Sequence, residues 1–127
     1  MPNGAALRTT KPTVTFEQFQ VVRVPFPFTD RNATKNRLAL VVSDGERFNT
    51  PAGHSVMAMI TSADNPPWPL DLAIRDLPAA GLPAASKVRF KLFTLDHRLV
   101  NGILGQLGAE DEAEFRRALG LLLGDSP

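Results

Sequence analysis

Cysteine is absent from the 127 residues of the chain, which excludes a disulfide framework, a thiolate zinc site and a cysteine nucleophile in one step. Histidine is scarce: His54 and His97 are the only side chains whose unperturbed pKa lies near neutrality. No apolar run approaches the ~18 residues of a membrane span. The first 16 residues carry Arg8 and Lys11 but no apolar stretch, so no secretory signal is read and a cytoplasmic protein is expected. An internal repeat, a glycine-rich phosphate loop, zinc-ligand spacing and a nucleophile elbow are missing as well. Neither a metal nor a cofactor is therefore expected.

What is present is ordinary for a globular domain: 43% apolar and 21% charged residues, in a length that suits one core. Residues 1–16 mix Pro, Thr, Gly and Lys without periodicity and are expected to form a loose arm, with residues 17–127 as a single domain. The net charge of +1 hides a pattern. Arg23, Arg31, Lys35, Arg37 and Arg47 stand against three acids, and Lys87, Arg89, Lys91 and Arg98 against Asp96 alone, whereas from Glu110 onward five acids face two arginines. Two basic stretches suit one cationic face for an anionic polymer; on charge alone, a mixed surface is the plainer reading.

The β-branched run Phe19–Val24, stopped by Pro25 and Pro27, predicts a strand, followed by a polar loop over 26–36. The nearly continuous apolar segments Arg37–Ser43 and Val56–Ser62 predict strands buried on both faces, with a mobile loop between Asp44 and Gly53. Leu70–Arg75 alternates as a half-exposed strand, and Asp76–Ala85 is a connector. Ser86–Leu95 places Val88, Phe90 and Leu92 on one side and Lys87, Arg89, Lys91 and Phe93 on the other. A short last strand, Ile103–Leu107, precedes a helix over Ala109–Leu123, whose apolar stripe is Phe115, Ala118, Leu119 and Leu122. The fold class is thus mainly β (α+β): a small barrel or strongly bent sheet with a C-terminal helix packed on it.

Three segments, in order, resemble the MazF/PemK toxin family: Val21-Val-Arg-Val-Pro-Phe-Pro-Phe-Thr-Asp30, Lys35-Asn-Arg-Leu-Ala-Leu-Val-Val-Ser43 and Met57-Ala-Met-Ile-Thr-Ser62. Weaker similarity follows in Trp68-Pro-Leu-Asp71 and Val88–Asp96, so the likeness spans roughly residues 18–123. The resemblance implies an SH3-like barrel, a homodimer, metal-independent cleavage of single-stranded RNA, and a cognate antitoxin that blocks the site. Matched motif to motif, the family's active arginine falls on Arg37 and its active Ser/Thr on Thr61, with Ser62 beside it. Phe19-Gln20 stands where the family has Gly-Asp, and Leu38 where it has Pro. Both departures are expected near the site, and they keep a second reading open. In it, a weakened or inactive relative acts as a binding module for antitoxin or RNA, or as a gyrase poison on the same barrel.

The residue types suit the chemistry. When the 2′-hydroxyl of RNA attacks the adjacent phosphorus, charge builds on the phosphoryl oxygens, and an arginine fork can meet it with two parallel hydrogen bonds. Arginine is a poor base because it stays protonated, so the general base is left open among His54, Asp71 and Asp96, each with a plainer surface or turn reading. His97 is expected to be structural. Candidate RNA contacts are Arg31, Lys35, Arg89, Lys91 and His54 for phosphate. Trp68 could stack on a base or simply plug the Pro-rich loop.

Overall fold

The computed structural model describes residues 15–26 and 35–126. Six strands are assigned: β1 (Gln20–Phe26), β2 (Lys35–Val41), β3 (His54–Ser62), β4 (Leu72–Ala73), β5 (Ser86–Asp96) and β6 (Gly102–Gln106). They form one antiparallel sheet in the order β4-β5-β3-β2-β1-β6. Two short helices, α1 (Thr50–Ala52) and α2 (Leu77–Ala80), interrupt the strands, and the longer α3 (Ala109–Leu122) follows them. Among the described residues no helix is long and apolar enough to cross a membrane.

The apolar runs of the central strands are buried on both faces, as their sequence predicts. Val21, Leu40, Val42, Ala58, Ile60, Val88 and Phe90 pack on one face beneath Phe115 and Ala118 of α3. Their neighbours Val22, Val24, Ala39, Val41, Met57 and Leu95 form a second core on the other face, closed by Phe16. Period two sends successive residues to opposite sides, so a sheet with two covered faces needs apolar residues at both phases. Phe16, which composition assigns to the arm, is 4% exposed, its ring packed edge to face on His97 with the centroids 4.9 Å apart. His97 in turn is held by the Ser55 hydroxyl at 2.7 Å. Phe16 is thus part of the core, while residues 1–14 lie outside the described residues.

Four local expectations are corrected. The segment after Asp44 is a π-helical turn (Gly45–Asn49) running into α1, pinned by Asn49, whose buried amide donates to the carbonyls of Phe16 and Ser43. Only Leu72–Ala73 of the expected Leu70–Arg75 strand pairs: Trp68–Asp71 closes a turn instead, with Leu70 at φ 64°. The connector contains α2, capped by Asp76 accepting from the Ala79 amide. In β5 the ladder slips between Ala58 and Met59, which face Leu92 and Arg89, so Phe90 and Lys91 are additional residues in a bulge. The bulge bends the strand and leaves Leu92 44% exposed rather than beside Val88.

The predicted helix stands nearly to the residue, and Glu112–Arg116 and Glu114–Arg117 pair along it at 3.5 Å. Its stripe is shifted: Leu122 is exposed, and Asp111 is buried one turn before Phe115. The Asp111 carboxylate accepts from the amides of Arg75 (3.0 and 3.1 Å) and Asp76 (2.9 Å), fastening α3 to the segment between β4 and α2.

The sheet edges β4 and β6 are bridged by α2, which turns the bent sheet into a half-barrel. The bridge needs two glycines. A Cβ on Gly105 would stand 2.4 Å from the Ala79 carbonyl oxygen, and one on Gly81, at φ +72°, 2.1 Å from that of Leu104. Both neighbours are backbone and cannot swing aside. Gly105→Ala is therefore expected to cost about 2–3 kcal/mol, lowering the melting temperature by roughly 10 °C. A thermal melt within about 2 °C of the parent would show that α2 does not close the half-barrel.

Candidate functional site

On the face away from α3, the second core ends where β1, β2, β3 and β5 exchange apolar for basic residues. The β2–β3 ladder runs from Val41–Met57 to Leu38–Ile60, and one more antiparallel step sets Arg37 across from Thr61. Arg37 also faces Val24 of β1, and Thr61 faces Lys87 of β5. One row across four strands thus brings together two residues that are 24 apart in sequence. A cleft of about 380 Å³ opens over it, lined by Phe26, Arg37, Met59, Thr61, Asn65 and Lys91 among others.

The electrostatics of the cleft are one-sided. Arg37 is exposed, makes no ion pair among the described residues, and lies 5.0 Å from the Phe26 ring centroid. Lys91 stands 4.5 Å from the centroid of Trp68, itself 41% exposed. Arg89 and Lys87 are engaged: the Arg89 fork takes both oxygens of Asp71 at 3.2 and 2.9 Å, and Lys87 meets the same carboxylate at 3.2 Å. Arg89, first through its hydrogen bonds and then with Lys87 and the Trp68 amide, holds the Asp71 carboxyl below its ordinary 3.8. Among the described residues, Arg37, Lys87, Arg89 and Lys91 against Asp71 leave a surplus of positive charge, suited to a phosphodiester. Arg37 supplies a guanidinium fork with no carboxylate partner among the described residues, and Thr61 a hydroxyl.

The chain matches, over residues 17–123, the family model described as PemK-like, MazF-like toxin of type II toxin-antitoxin systems. The chain belongs to this toxin family. Similar solved structures include a MazE-MazF complex from Deinococcus radiodurans, 22% identical with TM-score 0.66, covering 89% of this chain and 99% of that one. An endoribonuclease from a mycobacterial species is 18% identical with TM-score 0.70, covering 92% and 99%. Another mycobacterial endoribonuclease, solved with its cognate antitoxin, is 20% identical with TM-score 0.67, covering 87% and 95%. At these identities the likeness is one of fold: the antiparallel half-barrel with a C-terminal helix is the MazF-like fold. No curated protein sequence matches the chain significantly.

Within this MazF-like frame the other sequence candidates are dispersed. Ser62 ends β3 beside Thr61, exposed, with its hydroxyl accepting from the Asp64 amide at 3.2 Å. Lys35 is exposed at the start of β2, two residues before Arg37. Arg31 lies outside the described residues. His54 begins β3, seven residues from Thr61 and therefore roughly 23 Å away along the strand; its Nδ1 contacts the Ala52 carbonyl at 2.9 Å. Asp96 sits at that same far end, bound to Arg98. The structure does not bring these two candidate bases to Arg37.

The two departures from the family pattern also lie elsewhere than expected. Phe19 occupies the glycine position with φ 73°, yet its ring is buried in the first core, 6.0 Å from Phe115 and beneath the Arg116 guanidinium at 4.7 Å. A left-handed non-glycine costs about 1–2 kcal/mol, and burying a phenylalanine offsets roughly 2–3. Leu38 packs on the same core, on the opposite side of β2 from Arg37. Asn65 was not legible as a site residue: it donates from Nδ2 to the Thr61 hydroxyl, and a turn former among prolines gives no sign of that in sequence.

Asp71 contributes stability that is complete above 3.8 and is lost as the pH falls through its lower folded value. Asp71→Asn is expected to lower stability at neutral pH by about 1–3 kcal/mol. The gap from the parent should close in acid below 3.8. Denaturant unfolding across that range reads it; a gap that stays constant with pH would mean that the carboxylate pairs contribute nothing.

Proposed function

We propose that the chain is the toxin of a type II toxin-antitoxin pair, acting in the cytoplasm as a metal-independent, sequence-specific endoribonuclease on single-stranded RNA. It would work as a homodimer restrained by a cognate antitoxin. Family membership supports the toxin role, and the solved relatives named as endoribonucleases, one with its antitoxin, support the activity and partner. The observation that carries the reading is that Arg37, with no ion pair among the described residues, and Thr61 line one cationic cleft.

In the proposed reaction the 2′-hydroxyl attacks phosphorus, the bond to the 5′-oxygen breaks, and a 2′,3′-cyclic phosphate and a 5′-hydroxyl result. Arg37 donates two hydrogen bonds to the phosphoryl oxygens as their charge grows. The Thr61 hydroxyl fixes one phosphate oxygen or the attacking hydroxyl, with Ser62 next in line. Lys35 and Lys91 meet flanking phosphates, and Trp68 offers a face for a neighbouring base. Asp71 is a weak base, because Arg89 and Lys87 stabilise its charged form. Catalysis then rests on positioning and charge stabilisation more than on a strong base.

Cleavage of a long single-stranded RNA in EDTA should give discrete cuts with cyclic-phosphate ends. Arg37→Ala and Thr61→Val should each slow it by roughly 100- to 1,000-fold. Folded protein that binds RNA or an antitoxin-type peptide and cuts nothing would instead establish the binding-module reading.

A further inference from the structure

The loop from Ala63 to Asp71 follows Thr61 closely, and its residues 63–70 are exposed, yet hydrogen bonds tie it down along its length. The Asn65 amide donates to the Ser62 carbonyl at 3.1 Å. Lys87 Nζ donates to the Asn65 carbonyl at 2.6 Å, and Arg89 Nη2 to the Pro66 carbonyl at 2.6 Å. Asp71 closes the loop by accepting from the Trp68 amide at 3.0 Å and holding both cations. Pro66 and Pro67 restrict the backbone between these anchors. All this fixes one side chain over the cleft: Asn65, whose Nδ2 donates to Thr61 Oγ1.

A threonine hydroxyl has one proton and two lone pairs, and left alone its proton rotates to whatever acceptor is near. An amide N–H on one lone pair removes that sector, because the hydroxyl proton cannot point at another proton. We propose that Asn65 is a positioning residue that directs the Thr61 O–H into the cleft, towards a phosphate oxygen or 2′-hydroxyl, and that Asp71 sustains it through Lys87 and Arg89. This rests on the ribonuclease reading for its consequence in rate, though not for the hydrogen bond itself. The basic residues thereby fall into two pairs, with Lys87 and Arg89 holding the loop while Arg37 and Lys91 remain for the substrate.

The test is a double-mutant cycle on Asn65→Ala and Thr61→Val, reading single-turnover cleavage and binding of a 2′-O-methyl RNA that cannot be cut. Asn65→Ala should slow cleavage about tenfold, the weight of one hydrogen bond, with binding held within about twofold. In the Thr61→Val background it should cost nothing further. Asn65→Asp, of the same shape with acceptors only, should lose at least as much as the alanine variant. Losses that multiply in the double variant, a loss wholly in binding, or parent-like cleavage by Asn65→Asp would each overturn the proposal. If the parent protein cuts no RNA, the ribonuclease reading fails and the Asn65 side-chain amide resonance decides. A shift in both Thr61→Val and Asp71→Asn would uphold the arrangement, and unchanged peaks would overturn it.

Discussion

The central strands β1, β2 and β3 carry apolar side chains at both phases of their alternation, so neither face of the sheet can be left to water. One face is covered by α3, docked through Phe115 and Ala118 and fastened by Asp111. The other is covered by smaller pieces: Phe16, the His97 turn and the curl of the sheet. Those pieces reach only part of the way. Where the second core stops, the same strand positions that bury Val24, Ala39 and Met57 carry Phe26, Arg37, Met59 and Thr61 to the surface. The cleft is the uncovered end of a core face, and that is why it has an apolar floor and a cationic rim.

The half-barrel tolerates sequence change because its essential contacts are to backbone. Phe19 stands where the family has glycine and keeps the left-handed backbone a glycine would adopt. Its amide donates to the Val41 carbonyl at 2.7 Å and its carbonyl accepts from the Leu107 amide at 3.0 Å. These bonds join the entry of β1 to β2 and to the exit of β6, and the ring finds space under α3. The departure is thus absorbed on the far side of the sheet from Arg37. Gly81 and Gly105 show the converse: there backbone meets backbone, and no side chain can be admitted.

Among the described residues, Asp71 organises the charge in the cleft. Asp71, 13% exposed, binds Lys87 and Arg89 at once and organises the turn that follows Trp68. Desolvation opposes its ionisation, but the two cations outweigh it. Two of the four cations are thereby committed to the protein itself, and the remaining pair faces solvent. A single charge balance accounts for both the order of an exposed loop and the surplus that would draw a phosphate chain.

The central strands β1, β2 and β3 were legible in sequence, because burial on both faces writes itself as nearly unbroken apolar runs, and so was α3, through a 3.6-residue stripe with acids at its start. The ordered motifs around Arg37 and Thr61 carried the family, which the match over 17–123 bears out. Tertiary structure alone decided what depends on distance across the sheet. The Leu70–Arg75 alternation gave way to a turn because Asp71 binds the Trp68 backbone. Leu92 is exposed at the point where β5 bulges against β3. Asp111 is buried because two orphan amides wait for it. Arg89 faces inward to Asp71 rather than outward, and His54 lies at the wrong end of β3, since a strand keeps its residues apart at about 3.3 Å each. Asn65 reaches Thr61 only because the loop is anchored by residues more than twenty positions away. Local patterns record which surfaces are covered; which polar groups meet is settled by register, and register is a property of the whole sheet.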